Sequence, residues 1–232
     1  MSLLNSGNSK TRKGEKKGFT TYGLHLAPAN LSGFNVCKDA SAGCAAACLN
    51  TAGRGKMTMV QTARIKKTLF FFQDKQGFLA ELWQEAARSI KSAARKNMIP
   101  CFRLNLTSDL PWEKIKFNGQ SIFDAFPSIQ FYDYTKSPER MTAFLSGTLP
   151  KNYHLTFSRS ESNGSLAEAF LASGGNVAMV FRKSLPATFK SYPVVDGDET
   201  DLRFLDGSGK IVGLKEKGLA KKDETGFVLE PA

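Results

Sequence analysis

Apolar runs of strand length alternate with helical patterns along most of the chain. Five short runs rich in β-branched and aromatic residues predict strands at residues 19–26, 99–106, 128–132, 153–157 and 176–181. Helical or partly helical patterns lie between them, at residues 57–73, 77–97, 112–126, 138–146 and 165–173. Because a crossover helix returns the chain to the same edge of a sheet, this order favours parallel pairing.

The predicted fold is therefore α/β, a partial parallel (β/α) barrel of about six strands, TIM-barrel-like, with an N-terminal cysteine loop-helix. Residues 193–195 and 202–205 are candidates for a sixth strand and a terminal ribbon, and the glycine-rich tail after Gly207 shows no clear period. We expect one domain over residues 19–232. A basic, poorly ordered arm over residues 1–18 is expected to precede it, with charges at Lys10, Arg12, Lys13, Lys16 and Lys17.

Three of the four cysteines lie within twelve residues, at Cys37, Cys44 and Cys48. The alanine-rich stretch 42–51 predicts a helix on which Cys44 and Cys48, four residues apart, share a face. Residues 1–17 are polar and basic and lack the apolar core of a signal peptide, so metal-binding thiols are favoured over disulfides.

The spacing of the three cysteines helps to choose the metal. Structural zinc typically uses paired, closely spaced cysteines and four ligands. Three cysteines in one loop would leave one iron of a four-iron cluster open to another ligand. We predict an iron–sulfur cluster, with 4Fe–4S favoured; the alternatives are a zinc site and three buried thiols that pack as small apolar groups.

Polar residues also gather where the predicted strands end. The carboxyl ends of parallel strands form the ligand face of such folds, so these residues are expected to meet the cysteine loop at one rim. For any single one of them, a helix cap is a sufficient explanation, but together they indicate a pocket. The pocket candidates are His25, Asn105, Ser108, Asp109, Tyr134, Ser158, Arg159 and Arg182. Cys101 lies near the start of its strand and is expected to be a buried core thiol.

The chain is basic, with 32 Lys and Arg against 21 Asp and Glu, a formal net charge of +11. Such a surplus favours contact with nucleic acid or another polyanion. Candidates for phosphate contact are Arg54, Lys56, Arg64, Lys66 and Lys67. No apolar stretch reaches the length of about 18 residues that spans a bilayer, so no membrane partner is expected.

A first strand, a three-cysteine loop and a partial parallel barrel resemble the radical S-adenosylmethionine architecture. In that family three cysteines hold a four-iron cluster whose open iron binds the cofactor, with three and then two residues between the cysteines. Here the intervals contain six and then three residues. The resemblance implies a cluster on Cys37, Cys44 and Cys48 and makes S-adenosylmethionine a candidate cofactor.

Residues 40–55 are similar to the signature of the bacteriophage gene product 88 family, and residues 103–109 are similar to its second block. This resemblance implies a phage-encoded protein of the bacterial host cytoplasm, with the three clustered cysteines as ligands. It also implies that Arg54, Asn105, Ser108 and Asp109 lie in or near the pocket. The resulting hypothesis is an iron–sulfur protein with redox or radical-S-adenosylmethionine-like chemistry. The alternative is an iron–sulfur or zinc module that binds nucleic acid without catalysis.

Overall fold

The computed structural model describes residues 1–7 and 11–231. Its strands are β1 (Leu4–Asn5), β2 (Phe19–Leu24), β3 (Ile99–Arg103), β4 (Lys116–Phe117), β5 (Gln120–Ser121), β6 (Gln130–Thr135), β7 (Tyr153–Ser158), β8 (Val177–Phe181), β9 (Thr188–Phe189), β10 (Tyr192–Asp196), β11 (Ile211–Lys215) and β12 (Val228–Leu229). Its helices are α1 (Ala42–Ala46), α2 (Thr58–Gln73), α3 (Lys75–Ala94), α4 (Ile122–Ala125), α5 (Pro138–Leu145) and α6 (Gly164–Ala172).

The central sheet runs in the order β1-β2-β3-β6-β7-β8-β11-β10-β9, and β12 also pairs with β8. All pairings from β2 to β10 are parallel, and only the edge strands β1 and β9 pair antiparallel. The predicted parallel α/β fold is thus confirmed. The sheet is not closed within the described residues, since β1 and β9 end it on opposite sides, and a barrel is not confirmed.

The two faces of the sheet are packed differently. Phe102, Phe131 and Leu155 belong to the main core, which also holds Phe71 of α2 and the buried apolar face of α3. Cys101, next to Phe102 in β3, is fully buried on the other side with Tyr132. The burial of Cys101 confirms the expectation of a core thiol. It lies on the face opposite Phe102 because successive side chains alternate between the two faces of a strand.

The N-terminal segment differs from the expected arm. Leu3 is fully buried, β1 pairs with β2, and Thr11–Lys17 forms a 3-10 helix. Glu85 of α3 accepts hydrogen bonds from the backbone N–H groups of Leu3 and Leu4, at 2.8 and 2.7 Å. A buried carboxylate and an apolar anchor therefore hold this segment on the domain. Lys10 lies outside the described residues.

Three other segments depart from their predicted form. Residues 112–126 contain the β4–β5 hairpin, whose turn residues Asn118 and Gly119 both have positive φ, as the Asn-Gly sequence favours. The tail after Gly207 contributes β11, which lies inside the sheet between β8 and β10. Residues 203–205 form a 3-10 helix in place of the expected ribbon. No helix in the described part of the chain is long and apolar enough to cross a membrane.

Candidate metal centre

The three clustered cysteines follow β2 at the carboxyl edge of the sheet. The loop that carries them is joined to the segment after β3, since Asp109 donates its backbone N–H to the carbonyl of Val36 at 2.8 Å. Cys37 Sγ lies 3.9 Å from the carbonyl oxygen of Thr107 in that same segment. All three thiols are free and half-buried. The expected position of the cysteine loop, beside the ends of the parallel strands, is what the backbone shows.

The sequence predicted that Cys44 and Cys48 share one helix, and this prediction is wrong. The helix α1 ends at Ala46, and Cys48 has extended backbone angles (φ −54°, ψ 135°) at the start of the 3-10 helix Leu49–Thr51. Cys48 Sγ accepts a hydrogen bond from the backbone N–H of Asn50 at 3.5 Å. The break is fixed by the side chain of Asn50, which is 4% exposed and donates to Gln61 Oε1 at 2.9 Å.

A carboxylate from another strand end holds α1 in place. Glu161, which follows β7, accepts hydrogen bonds from Ser41 Oγ and from the backbone N–H of Gly43, both at 2.8 Å. A Cβ atom at Gly43 would lie 2.7 Å from Glu161 Oε2, so only glycine permits this close approach. Glu161, which comes from the end of β7, therefore also positions Cys44, the residue after Gly43.

Burial controls the chemistry of the thiols. It raises the pKa of Cys37 to about 11, and the neighbouring Cys48 and Cys44 add to the rise. Burial also raises the pKa of Cys48, while Arg64 and Lys136 act in the opposite direction. Burial thus disfavours the thiolate forms of Cys37 and Cys48. Positive charge supplied by a metal would favour their thiolate forms.

Arg64 is a buried cation in contact with Asn50, two residues after Cys48. The sequence predicted that Arg64 would contact phosphate. It shares the buried face of α2 with Phe71, seven residues on, and is 8% exposed. Its Nη1 donates to Asn50 Oδ1, whereas its Nε is buried and has no hydrogen-bond partner among the described residues. The predicted phosphate contacts are wrong for Arg64 and for Lys67, which is also buried and donates to the carbonyl of Leu3. The seven-residue spacing to Phe71 was the signal that could have placed Arg64 inside.

The pocket candidates after β3 are engaged with protein groups. Asn105 Oδ1 accepts hydrogen bonds from Ser108 Oγ (2.8 Å), the backbone N–H of Leu110 (3.0 Å) and Trp112 Nε1 (3.2 Å). The carboxylate of Asp109 accepts from the backbone N–H of Lys136 at 2.7 Å and from Arg140. These residues lie near the cysteine loop, yet their polar atoms organise the loop between β3 and the next helix.

The remaining candidates are spread around the rim. Tyr134 lies beneath the guanidinium of Arg103, 4.5 Å from ring centroid to Cζ, and Ser158 Oγ accepts from Lys136 Nζ at 2.6 Å. The side chains of two candidates bind the C-terminal segment: Arg159 donates to the carbonyl of Phe227 and Arg182 to that of Asp223. Phe227 and Val228 of that segment form a small apolar cluster with Ala47 and Ala220, and Cys44 packs against this cluster.

His25 lies beside Thr107, whose carbonyl oxygen is near Cys37 Sγ, whereas Arg54 lies on the surface. His25 Nδ1 is 3.4 Å from Thr107 Oγ1, and burial, followed by the charges of Arg64, Arg103 and Lys67, lowers its pKa to about 3. Its imidazole is therefore neutral across the physiological range. Arg54 is exposed on the 3-10 helix Gly53–Lys56.

In the part of the chain that the structure describes, no three His, Cys, Asp or Glu side chains are already grouped to hold a metal ion. The ligand assignment of Cys37, Cys44 and Cys48 remains a prediction from their spacing and position. Comparison with curated proteins finds no match, and comparison with solved structures finds none either. The resemblance to the radical S-adenosylmethionine architecture is not shown by these comparisons. The family model described as Gene product 88 matches residues 2–231, and the chain belongs to that family.

Proposed function

We propose that this protein binds an iron–sulfur cluster, of the 4Fe–4S class, through Cys37, Cys44 and Cys48 and uses it in redox or radical-S-adenosylmethionine-like chemistry. The observation that carries the proposal is the set of three free, half-buried thiols on one loop at the carboxyl edge of a parallel sheet. Ligands in this position serve the functional face of parallel α/β folds. Three thiolates also match the ligands of a cluster that keeps one iron open.

The surroundings of the cysteines fit such a group. Hydrogen bonds to the sulfur atoms and nearby charges tune iron–sulfur clusters. The Nε of Arg64 is a buried donor without a partner among the described residues, and the charges of Arg64 and Lys136 favour a thiolate at Cys48. Both cations can offset the negative charge of thiolates and sulfides.

When bound, the cluster would supply one-electron transfer or an open Lewis-acidic iron. The chain's own residues would hold and shield it. Glu161 fixes α1 and hence Cys44, Asn50 fixes the turn at Cys48, and Lys136 is oriented by Ser158. Partial burial of the thiols limits the access of water and oxidants. S-adenosylmethionine is the candidate ligand of the open iron, and the host cytoplasm, where thiols stay reduced, is the expected compartment.

The alternative is an iron–sulfur or zinc module that binds nucleic acid without catalysis. Its support is the formal charge of +11 together with the exposure of Arg54, Lys56 and Lys66 around the cysteine loop. Under this alternative, affinity for DNA or RNA would fall steeply with salt concentration.

The test is anaerobic purification followed by quantification of iron and acid-labile sulfide, with visible absorption and electron paramagnetic resonance spectra. Cys37→Ala, Cys44→Ala and Cys48→Ala should each lose the iron and the colour. Cys101→Ala is the matched control and should keep both, because that thiol is fully buried in the core. Equal loss of iron in all four variants, or stoichiometric zinc without sulfide, would contradict the proposal. Titration with S-adenosylmethionine then examines the open iron.

A further inference from the structure

The C-terminal segment lies across the carboxyl edge of the parallel sheet. It contains the 3-10 helix Gly218–Lys222 and ends in β12. β8 pairs with β7 at its first two residues and with β12 at its last two, Val180 and Phe181. Since β11 occupies the other edge of β8 along its whole length, β12 takes the place beside β8 that β7 leaves at its carboxyl end. We call residues 218–229 the C-terminal strap.

One part of the strap packs on the cysteine loop. Phe227 and Val228 of the strap belong to the small apolar cluster on which Cys44 packs. A Cβ atom at Gly43 would collide with Thr225 Oγ1, so the strap and α1 are in direct contact. The strap thus covers the loop at Cys44.

The strap also contacts residues that follow three other strands. Arg159, after β7, donates to the carbonyl oxygen of Phe227 at 3.2 Å. Arg182, after β8, donates to the carbonyl oxygen of Asp223 at 2.8 Å. Lys136, after β6, has its Nζ 5.5 Å from the centre of the Phe227 ring, within the range of a cation–π contact. Together with the cysteine loop after β2, these contacts place the strap over the ends of four parallel strands, which form the ligand face of such folds.

The turn of the strap is closed by its own groups. The carboxylate of Asp223 accepts hydrogen bonds from Thr225 Oγ1 at 2.7 Å and from the backbone N–H of Val228 at 3.0 Å. Thr225 Oγ1 in turn accepts from the backbone N–H of Phe227 at 3.3 Å. Because these bonds lie within residues 223–228, the turn can keep its shape when the strap moves.

The attachment of the strap to the main core is small. Ala220, Phe227 and Val228 are buried in their own cluster, apart from the main core. Leu229 packs on the main core but is only partly buried. The ladder between the strap and β8 is two residues long, whereas β8 and β11 pair over five residues. Segments with few buried apolar contacts open at a lower free energy than the core, so the strap can leave the rim while β8 stays in the sheet.

We propose that the C-terminal strap is a lid on the carboxyl rim of the sheet, which opens as one unit when Arg159 and Arg182 release its carbonyl groups. The closed strap lies over Cys44 and the ammonium group of Lys136, and opening exposes both to small molecules from solution. Such a lid controls access to the thiols whether they hold a cluster, a zinc ion or no metal, and so stands apart from the proposed function.

The test is the rate at which iodoacetamide alkylates each cysteine of the full-length, reduced protein after a chelator has removed bound metal. Trypsin cuts after Lys38, so mass spectrometry detects Cys37 and Cys44 on different peptides, and fragment ions locate the label within each peptide. Hydrogen exchange at the backbone N–H of Arg182, which donates to the carbonyl oxygen of Leu229 at 2.9 Å, measures opening of the strap independently of the thiols.

The strap variant is Arg159→Ala/Arg182→Ala, which removes the side-chain hydrogen bonds that hold the strap closed. Alkylation of Cys44 and hydrogen exchange at position 182 should both rise about fivefold or more. Alkylation of Cys37, which packs on the main core, should stay within about twofold of wild type. Unchanged alkylation of Cys44, or an equal rise at Cys44 and Cys37, would overturn the inference.

The matched control is Arg88→Ala/Arg95→Ala, two exposed arginines on and just after α3. This variant removes the same charge away from the rim and should alkylate at the wild-type rate. A rise at Cys44 as large as that of the strap variant would show that lost charge, and not release of the strap, exposes the thiol.

Cys101 reports global unfolding, because its side chain is fully buried in the core. If the strap variant labels Cys101 because it fails to fold, the wild type decides. Its protection from hydrogen exchange should be about tenfold or more lower at Arg182 than at Val177, whose N–H donates to the carbonyl oxygen of Lys210 at 3.0 Å. Equal protection would mean that the strap opens only when the whole domain unfolds, and the lid would be excluded. Iron and sulfide analysis of untreated protein tests the proposed function separately.

Discussion

The segments that follow β2 and β3 reach the same edge of the sheet but use their polar groups in opposite ways. After β3, the side chains of Asn105 and Asp109 accept several hydrogen bonds each from protein donors. After β2, the three thiols are free, and the adjacent Arg64 keeps a buried Nε without a partner among the described residues. Polarity at a strand end therefore does not by itself mark a ligand site, because the bonding capacity of such groups can be used within the protein.

Mutations in the segment after β3 and mutations of the cysteines after β2 should have different effects. Variants of the segment after β3 should lose stability and keep iron for each folded molecule. Variants of the cysteines should lose iron. A cysteine variant that keeps its iron, or a folded variant of the segment after β3 that loses its iron, would contradict this difference.

Arg140 is expected to give the largest loss of stability. It is 4% exposed and pairs with Asp109 and with Glu113, at 2.9 Å from Nε to Oε1. Arg140→Met would leave two largely buried carboxylates without their cation, at a cost of about 3–5 kcal/mol in the free energy of unfolding. Urea denaturation measures this loss. Iron bound per folded molecule should stay at the wild-type level.

The matched control for Arg140 is Arg88→Met on the surface of α3. Arg88 also pairs with a carboxylate, Glu81 at 2.7 Å, but its side chain is 60% exposed. Removing an exposed pair costs about 0–1 kcal/mol. Similar losses for Arg88→Met and Arg140→Met would show that the network after β3 is not a buried structural unit.

Asn105 is expected to give the next largest effect. Asn105→Ala removes the acceptor of the Ser108 hydroxyl, the Leu110 N–H and the Trp112 indole N–H. Of these three residues only Trp112 has a fully buried side chain, and leaving its N–H unsatisfied should cost about 1–3 kcal/mol. Ser108→Ala removes only one donor and should cost less, about 0.5–1.5 kcal/mol. Thermal and urea unfolding measure both. A stable Asn105→Ala protein that loses only cofactor or substrate binding would show that Asn105 is a binding residue and not a structural one.

Much of the fold could be predicted because its signals are local. The apolar runs that became β3, β6, β7 and β8, and the long helices α2 and α3, follow periods that a single sequence displays. The strand β11 was missed because its five residues carry no period of their own and are fixed by pairing with β8 and β10.

The candidate site was predictable only in part, for a similar reason. The cysteine spacing and the end of β2 located the loop. The break after Ala46 depends on Asn50 meeting Gln61 and Arg64, contacts 11 and 14 residues away in the chain. Likewise, the hydrogen bond from Trp112 Nε1 to Asn105 Oδ1 cannot be predicted from composition, because it depends on the path of the loop.

The pH dependence of stability gives the smallest effect per step, at most about 1.4 kcal/mol for each pH unit, and concerns Asp133, directly beneath this network. Asp133 accepts hydrogen bonds from the backbone N–H of Asn105 (2.8 Å) and from Tyr153 Oη (3.0 Å). Burial raises its pKa to about 7, although Arg103 and Arg140 oppose the rise. Since the unfolded carboxyl has a pKa near 3.9, the folded state binds more protons between about pH 4 and pH 7.

The contribution of Asp133 to the free energy of unfolding should therefore fall as the pH rises through that window, by at most about 1.4 kcal/mol per pH unit. His25 and His154 act in the opposite sense: their pKa values are lowered to about 3 and about 4, mainly by burial, so their contribution to the free energy of unfolding falls as the pH drops below about 6.5.

Asp133→Asn keeps both histidines and removes only the carboxyl titration. The difference in unfolding free energy between wild type and Asp133→Asn, measured by urea denaturation from pH 4 to pH 8, should thus change steadily in favour of the variant as the pH rises. A difference that stays constant across the window would mean that Asp133 is ionised in the folded protein throughout, held so by Arg103 and Arg140, and that the network after β3 is an ion-pair cluster down to β6.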